Sequence, residues 1–465
     1  MSPQPDSPDI YDIAIIGAGV VGCALARRFV LDGARVVVIE KAAEVLDGAS
    51  KANSAILHTG FDAPTGSLEQ KCVAAGYQEY LDIHESLGLP ILRSGAIVLA
   101  WDEDQAAKLD GLIAKAHDNG VHDAVRLTRD EILEREPHLS PDLKGGFLVP
   151  GEFLIDPWST AHAYILQALA NGATLLRGTE VLSGSFANQM WRLTTTNGPV
   201  EARQVVTSAG LYGDIVDERL LGKAAFTIHP RKGQFVVFDK PAAELAESII
   251  LPVPSATTKG IVVCRTIFGN LLVGPTAEEQ DSRIDSSTEA QMLADLCAKG
   301  TEMLPALESC EIAATYAGLR PATAFTDYQI KHHTLQNYTS VGGIRSTGLS
   351  AALGIARHVA SLIPNLKQVP INSPIIPEPI RLSNYHERDW ETAGNGGIVC
   401  HCELVTKREI EAALTGPMPP TTLQGLKRRT RVCMGRCQGF YCTGPLATLT
   451  EGRLDPPIGG TDAGK

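Results

Sequence analysis

Residues 11–41, YDIAIIGAGVVGCALARRFVLDGARVVVIEK, restrict the fold more than any other stretch of the chain. A short apolar run, Ile13 to Ile16, ends at glycine, as a buried parallel strand does. Gly17-Ala-Gly19-Val-Val-Gly22 follows at once. In such a run the first glycine makes the tight turn. The second lets backbone approach a pyrophosphate, and the third lets a helix pack close to the strand. A helix from Val20 to Asp32 would then aim its positive end at phosphate. A second strand, Arg35 to Ile39, ends at Glu40, placed to accept hydrogen bonds from ribose hydroxyls. Strand, glycines, helix, strand and acid in that order predict a bound dinucleotide. Glu40 would repel a 2′-phosphate, which disfavours NADP. The fingerprint alone does not separate FAD from NAD.

The chain has 465 residues, 44% of them apolar, enough for two or three domains with sizeable cores. Net charge is −12 with no long basic run, which argues against nucleic acid as a partner. The first residues, MSPQPDSPDIYD, lack the charged and apolar regions of a secretory signal. No apolar run reaches the roughly 20 residues of a membrane-spanning helix. A soluble, cytoplasmic protein is expected, with attachment to a membrane through a partner left open. In that compartment clustered cysteines point to metal or redox chemistry. Cys23, Cys72, Cys264, Cys297 and Cys310 stand singly and read as small buried hydrophobes.

The other five cysteines lie in residues 400–442, CHCELVTKREIEAALTGPMPPTTLQGLKRRTRVCMGRCQGFYC. Cys400 and Cys402 form C-x-C, and Cys437 and Cys442 form C-x4-C. Helical patterns over 406–414 and 421–430 separate the pairs. Four thiolates brought together this way suit zinc or an iron–sulfur cluster. Cys433 offers C-x3-C with Cys437 as an alternative second pair. Lys427, Arg428, Arg429 and Arg431 read as charge compensation for an anionic cluster, a dock for an acidic partner, or a solvated helix face. Before this region, prolines 364, 370, 374, 377 and 379 predict an extended connector over 363–396.

Downstream motifs carry a family resemblance. GASKANSAILHTGFDAPTGSLEQKC (48–72) resembles the segment after the ribose acid in the D-amino-acid-oxidase superfamily of FAD enzymes. VVTSAG (205–210), GNLLVGPTA (269–277), YAGLRP (316–321) and GGIRSTGLSAALGIA (342–356) resemble later motifs of that superfamily. The resemblance implies an α/β fold: a Rossmann-like FAD-binding domain with an antiparallel β-sheet substrate domain. It assigns 1–362 to the oxidoreductase, with FAD-binding pieces at about 11–90, 153–215 and 335–362. HTG with the following P-x-G-S-L and cysteine resembles L-2-hydroxyglutarate dehydrogenases. YAGLRP and the C-terminal extension resemble the A subunit of anaerobic glycerol-3-phosphate dehydrogenase, although GGIRSTG departs from it. Residues 397–453 resemble the bacterioferritin-associated-ferredoxin module, a small helical [2Fe-2S] domain, and 454–465 read as a disordered tail. The related enzymes carry glycine where this chain has Cys433.

From the fingerprint and the resemblance together, Gly17, Gly19, Gly22, Glu40, Lys41, Ser50, Asn53, Ser54, Gly210, Gly348, Leu349 and Ser350 are expected at FAD. Cys400, Cys402, Cys437 and Cys442 are expected to hold the cluster. Arg320 is expected to grip the substrate's anionic end, His58 to act as base or contact the flavin, and Arg345 to hold flavin or substrate. His229 and Lys232 are weaker candidates on position. The implied activity is oxidation of a small anionic alcohol, glycerol 3-phosphate or a 2-hydroxy acid, by hydride transfer to flavin. Electrons would leave singly through the cluster to an acceptor or partner subunit that the sequence does not identify. An amine or imino-acid dehydrogenase subunit and a non-catalytic electron carrier remain as alternatives.

Overall fold

The computed structural model describes residues 10–254, 260–363 and 369–460. Two large sheets form the body. The first has eight strands. Its centre is parallel: Thr174–Leu176, Val36–Ile39, Ile10–Ile16, Gly198–Thr207 and Tyr338–Gly342 lie side by side. Val36 to Ile39 are all buried, as a strand covered on both faces must be. A meander over Val181–Ala187 and Met190–Thr195 extends one edge, fixed by the buried Trp191. The helices Val20–Leu31, Leu68–Ile83, Pro157–Ala170 and Gly348–Leu362 pack together over one core with this sheet. Asp156 caps Pro157–Ala170 by accepting the N–H groups of Trp158 and Ser159, with proline at the first turn where no N–H is needed.

The second sheet has nine strands built around His229–Phe238 paired with Ile312–Ala322. It is antiparallel except where Ile249–Pro252 runs parallel to Ala96–Ala100. Ala96–Ala100 and Gly145–Val149 join it from the segment between the second and third parallel strands, so the sheet is assembled from discontinuous pieces.

Residues 369–396 contain no helix or strand beyond one short turn, Asp389–Glu391. They lie along the body as a strap. The Ile371 N–H donates to Leu31 O, Ile375 exchanges two hydrogen bonds with Asn171, and Leu382 is buried against Ile267 and Phe268. Pro364 lies outside the described residues.

A small domain follows. Strands Ile398–Cys400 and Val405–Thr406 precede the helices Lys407–Thr415, Leu423–Thr430 and Thr443–Leu449. Thr406 and Glu409 form a reciprocal capping box, and Thr422 caps the second helix. Val405, Ile410, Leu426, Val432 and Leu446 make its core. The expected disordered tail is divided. Leu454 packs in this core and Asp455 N–H donates to Thr421 O, whereas residues 461–465 lie outside the described residues. Among the described residues, no helix is long and apolar enough to cross a membrane.

Candidate active site and cysteine centre

A cavity of about 530 Å³ opens at the carboxyl ends of the parallel strands and reaches the second sheet. Open α/β sheets bind ligands at that edge. Gly17, Gly19, Glu40, Lys41, Ser50, Asn53, Ser54, Gly210, Gly348 and Leu349 line it, as do Arg320 and Arg345. Gly22, Ser350 and His58 are not in the wall. Gly22 serves packing: a Cβ there would sit 1.9 Å from Gly17 O, so any side chain would push the helix off the turn. Gly17 has a φ of +102°, which favours glycine.

The Glu40 carboxylate accepts Ala18 N–H at 2.7 Å and Ala42 N–H at 2.8 Å. Burial pushes its acidity down, and these two N–H donors partly offset that. Ser50 Oγ accepts Val20 N–H at 3.0 Å, at the start of a helix that has no cap of its own. Lys41 Nζ lies 3.1 Å from the centre of the Tyr212 ring. A glycine turn, a helix N-terminus and an acid at the second strand's end make a cradle that fits a dinucleotide.

At the other end, Gly348 and Leu349 begin the helix Gly348–Leu362, pointing its N-terminus into the cavity. Arg345 is ion-paired with the buried Glu69, which also accepts from Thr347 Oγ1 at 2.8 Å. That pairing commits the guanidinium to the wall. His58 adjoins the wall: its backbone N–H donates to Ser350 Oγ at 2.9 Å, next to the wall residue Leu349. Its Nδ1 is 2.7 Å from Glu152 Oε2, and its side chain is 21% exposed. Glu152 is fully buried, and its other oxygen accepts Thr59 N–H at 2.6 Å and Thr59 Oγ1 at 2.8 Å. Sequence reading missed Glu152. It lies 94 residues from His58, and no local pattern links them.

Arg320 reaches the cavity from Ile312–Ala322. Its guanidinium donates to Lys232 O and Thr276 O, and among the described residues it makes no direct ion pair, although Glu278 and Glu279 lie near enough to favour its charge. Burial, with Arg231 nearby, lowers its pKa to about 10, so it stays cationic at neutral pH. Gly233, two residues along the neighbouring strand from Arg231, which is the residue opposite Arg320, makes the space: a Cβ there would lie 2.5–2.9 Å from the guanidinium. Lys232 is instead tied to Glu289 at 2.9 Å, and His229 is exposed.

The cysteines of the small domain meet in two groups. Cys402 stands beside Cys437 and Cys400 beside Cys442, each close enough to act on its neighbour's thiol. The backbone N–H groups of Tyr441, Gly439 and Phe440 point at Cys437 sulfur and, Tyr441 first, lower its pKa. Burial pushes Cys400 and Cys442 up to about 11. Among the described residues, no three His, Cys, Asp or Glu side chains converge on a point that one ion could occupy. Thiols in pairs fit the two irons of a [2Fe-2S] cluster better than one tetrahedral zinc.

The basic run beside them is neither a solvated face nor an exposed dock. Arg428, Arg429 and Arg431 are buried between the small domain and the body. Arg429 pairs with Glu44 at 2.8 Å, Arg428 with Asp47 at 3.2 Å, and Arg431 with Glu403 at 2.8 Å while lying 3.8 Å over the Phe268 ring. Glu44 also accepts the N–H groups of Thr421 at 2.6 Å and Thr422 at 3.1 Å. Lys427 is half-buried.

Residues 12–362 match the family model described as FAD-dependent oxidoreductase, and residues 398–449 match the BFD-like [2Fe-2S] binding domain. A glycerol 3-phosphate dehydrogenase of Caloramator mitchellensis is 32% identical over 444 residues, covering 93% of this chain and 92% of that protein. The mitochondrial L-2-hydroxyglutarate dehydrogenase of Nematostella vectensis is 27% identical over 57% of this chain and 62% of its own length. The dithionite-reduced, FAD-bound L-α-glycerophosphate oxidase of Mycoplasma pneumoniae superposes with a TM-score of 0.74 at 26% identity, covering 78% of this chain and 97% of that one. The cradle, the matches and the paired thiols agree: this chain belongs to the D-amino-acid-oxidase family of FAD-dependent oxidoreductases, with FAD and a [2Fe-2S] cluster as its cofactors.

Proposed function

We propose that the enzyme oxidises glycerol 3-phosphate to the ketone and releases the electrons singly through its small domain. The observation that carries this reading is Arg320, a cation in the cavity wall that no carboxylate engages in a direct ion pair among the described residues. A guanidinium so placed binds phosphate or carboxylate through two parallel hydrogen bonds and fixes the orientation of what it holds. The glycerol 3-phosphate dehydrogenase and oxidase relatives favour phosphate over carboxylate.

The reaction also needs a base for the hydroxyl proton. His58 is the residue we assign. With Glu152 accepting from Nδ1–H, the tautomer makes Nε2 the basic nitrogen of the ring. The same carboxylate stabilises the imidazolium once the proton has arrived. FAD, when bound, supplies a two-electron acceptor that can pass electrons on one at a time. Cys400, Cys402, Cys437 and Cys442 are the residues we assign to the [2Fe-2S] cluster.

Anaerobic mixing with a small panel tests the reading. Glycerol 3-phosphate should bleach the flavin at lower concentration than L-2-hydroxyglutarate, and amino or imino acids should leave it oxidised. Bleaching by the hydroxy acid alone would move the substrate to that class. Bleaching by an amino acid alone would overturn alcohol oxidation.

A further inference from the structure

Cys433 is the thiol of the cysteine loops that a four-ligand scheme leaves unused, yet it is not set apart from the others. Its sulfur lies 3.4 Å from that of Cys442, and both residues are buried. The Cys433 backbone N–H also lies close to the sulfurs of Cys400 and Cys442. Cys400, Cys442 and Cys433 therefore make one corner of the centre, and Cys402 with Cys437 makes the other. An inert buried cysteine packs as a small hydrophobe. Cys433 instead faces sulfur, in a loop whose Gly435 and Gly439 lie directly against Cys402 and Cys433. A Cβ at Gly439 would be 3.2 Å from Cys433 sulfur, so the loop closes tightly around this thiol.

We propose that Cys433 is an alternate cluster ligand, and that the corner at Cys400 is closed by either Cys442 or Cys433. In the exchange the iron–sulfur bond to Cys442 breaks as the bond to Cys433 forms. The Cys433 thiol proton passes to the Cys442 sulfur, its neighbour at 3.4 Å. No electron changes hands, so neither oxidant nor reductant is required. The inference rests on the [2Fe-2S] domain match and is independent of the substrate reading.

Three variants of the full chain test it: Cys433→Ser, Cys442→Ser and the double variant, all purified anaerobically. The readouts are iron and acid-labile sulfide per chain and the electron paramagnetic resonance spectrum of the reduced protein. FAD per chain reports that the body has folded. Each single variant should keep at least about half the wild-type iron, because one thiolate still closes the corner. Cys442→Ser should show shifted g values, since the remaining ligand approaches from a different place. The double variant should lose iron by about tenfold or more. Cys442→Ser devoid of iron with full FAD would overturn the proposal, and so would a double variant that keeps its cluster. Should Cys442→Ser yield no FAD-bearing protein, wild type and Cys433→Ser decide. Two overlapping signals that become one on removing Cys433 support the exchange, and a single unaltered signal sinks it.

Discussion

His58 and Glu152 form a histidine–carboxylate pair, Nδ1 to Oε2 at 2.7 Å, with the carboxylate fully buried. If His58 is the base, Glu152 is a positioning residue acting through it. His58→Ala should lower the rate of substrate-driven flavin reduction by about 100-fold or more. Glu152→Gln should lower it by roughly tenfold or more, with KM little changed, because the amide holds the ring but lacks the charge. Anaerobic stopped-flow measurement separates the two constants. A parallel loss of FAD in Glu152→Gln would reduce Glu152 to a purely structural residue.

Arg320→Ala should cost roughly 2–5 kcal/mol of substrate binding in the transition state, at least a decade in kcat/KM. Arg320→Lys should recover part of it, since an ammonium keeps the charge but not the fork. Gly233→Ala offers an independent check, because its methyl would fall on the guanidinium and displace it. Its kcat/KM should move toward that of Arg320→Ala while the FAD content holds. An unaltered kcat/KM in Arg320→Ala removes the anchor from the scheme.

Arg283, on the cavity wall, pairs through both Nη atoms with Asp214 at 2.6 and 2.8 Å. Burial alone would raise the Asp214 pKa, but the Arg283 hydrogen bonds and Ile228 N–H outweigh it, so the folded value lies below the ordinary 3.8. A lowered acid stabilises the fold fully above about 3.8 and loses that contribution as pH falls through the folded value. Asp214→Asn should therefore lower the unfolding free energy measured by urea denaturation near pH 7 by about 1–3 kcal/mol. The gap to wild type should close on acidification toward about pH 3. A deficit independent of pH would show that packing rather than charge is involved.

Glu44→Ala should loosen the small domain from the body. It removes the acceptor of two N–H groups at the start of Leu423–Thr430 and leaves Arg429 buried with its short ion pair gone. Breaking one side of such a pair costs about 3–5 kcal/mol. Limited proteolysis should then cut within 369–396 faster than in wild type. Substrate should still reduce the flavin, while reduction of the cluster slows. Unaltered proteolysis would mean that the remaining contacts suffice for docking.

Much of the fold was legible because its signals are local. The turn at Gly17 and Gly22, the capped helices of the small domain and the two cysteine loops each declare themselves within a few residues. The place of Arg320 at the cavity was legible through its motif, although the clearance supplied by Gly233 was not. What stayed hidden depends on partners far along the chain. Glu152 is 94 residues from His58. Two of the three readings of the basic run, a dock and a solvated face, assumed exposure because Asp47 and Glu44, which neutralise Arg428 and Arg429, lie about 380 residues earlier. Arg345 shares that history, since Glu69 is 276 residues before it.

The segment from Glu40 to Ser50 belongs to two structures at once. Glu40, Asp47 and Ser50 edge the cavity, while Glu44 and Asp47 hold the cysteine-bearing domain. The body and its appendage are thus not interchangeable cassettes. A chimera that takes the small domain from another chain would inherit the arginines but not the acids that seat them. Its engineer would have to transplant this one loop as well, and in doing so would rewrite part of the cofactor's own berth.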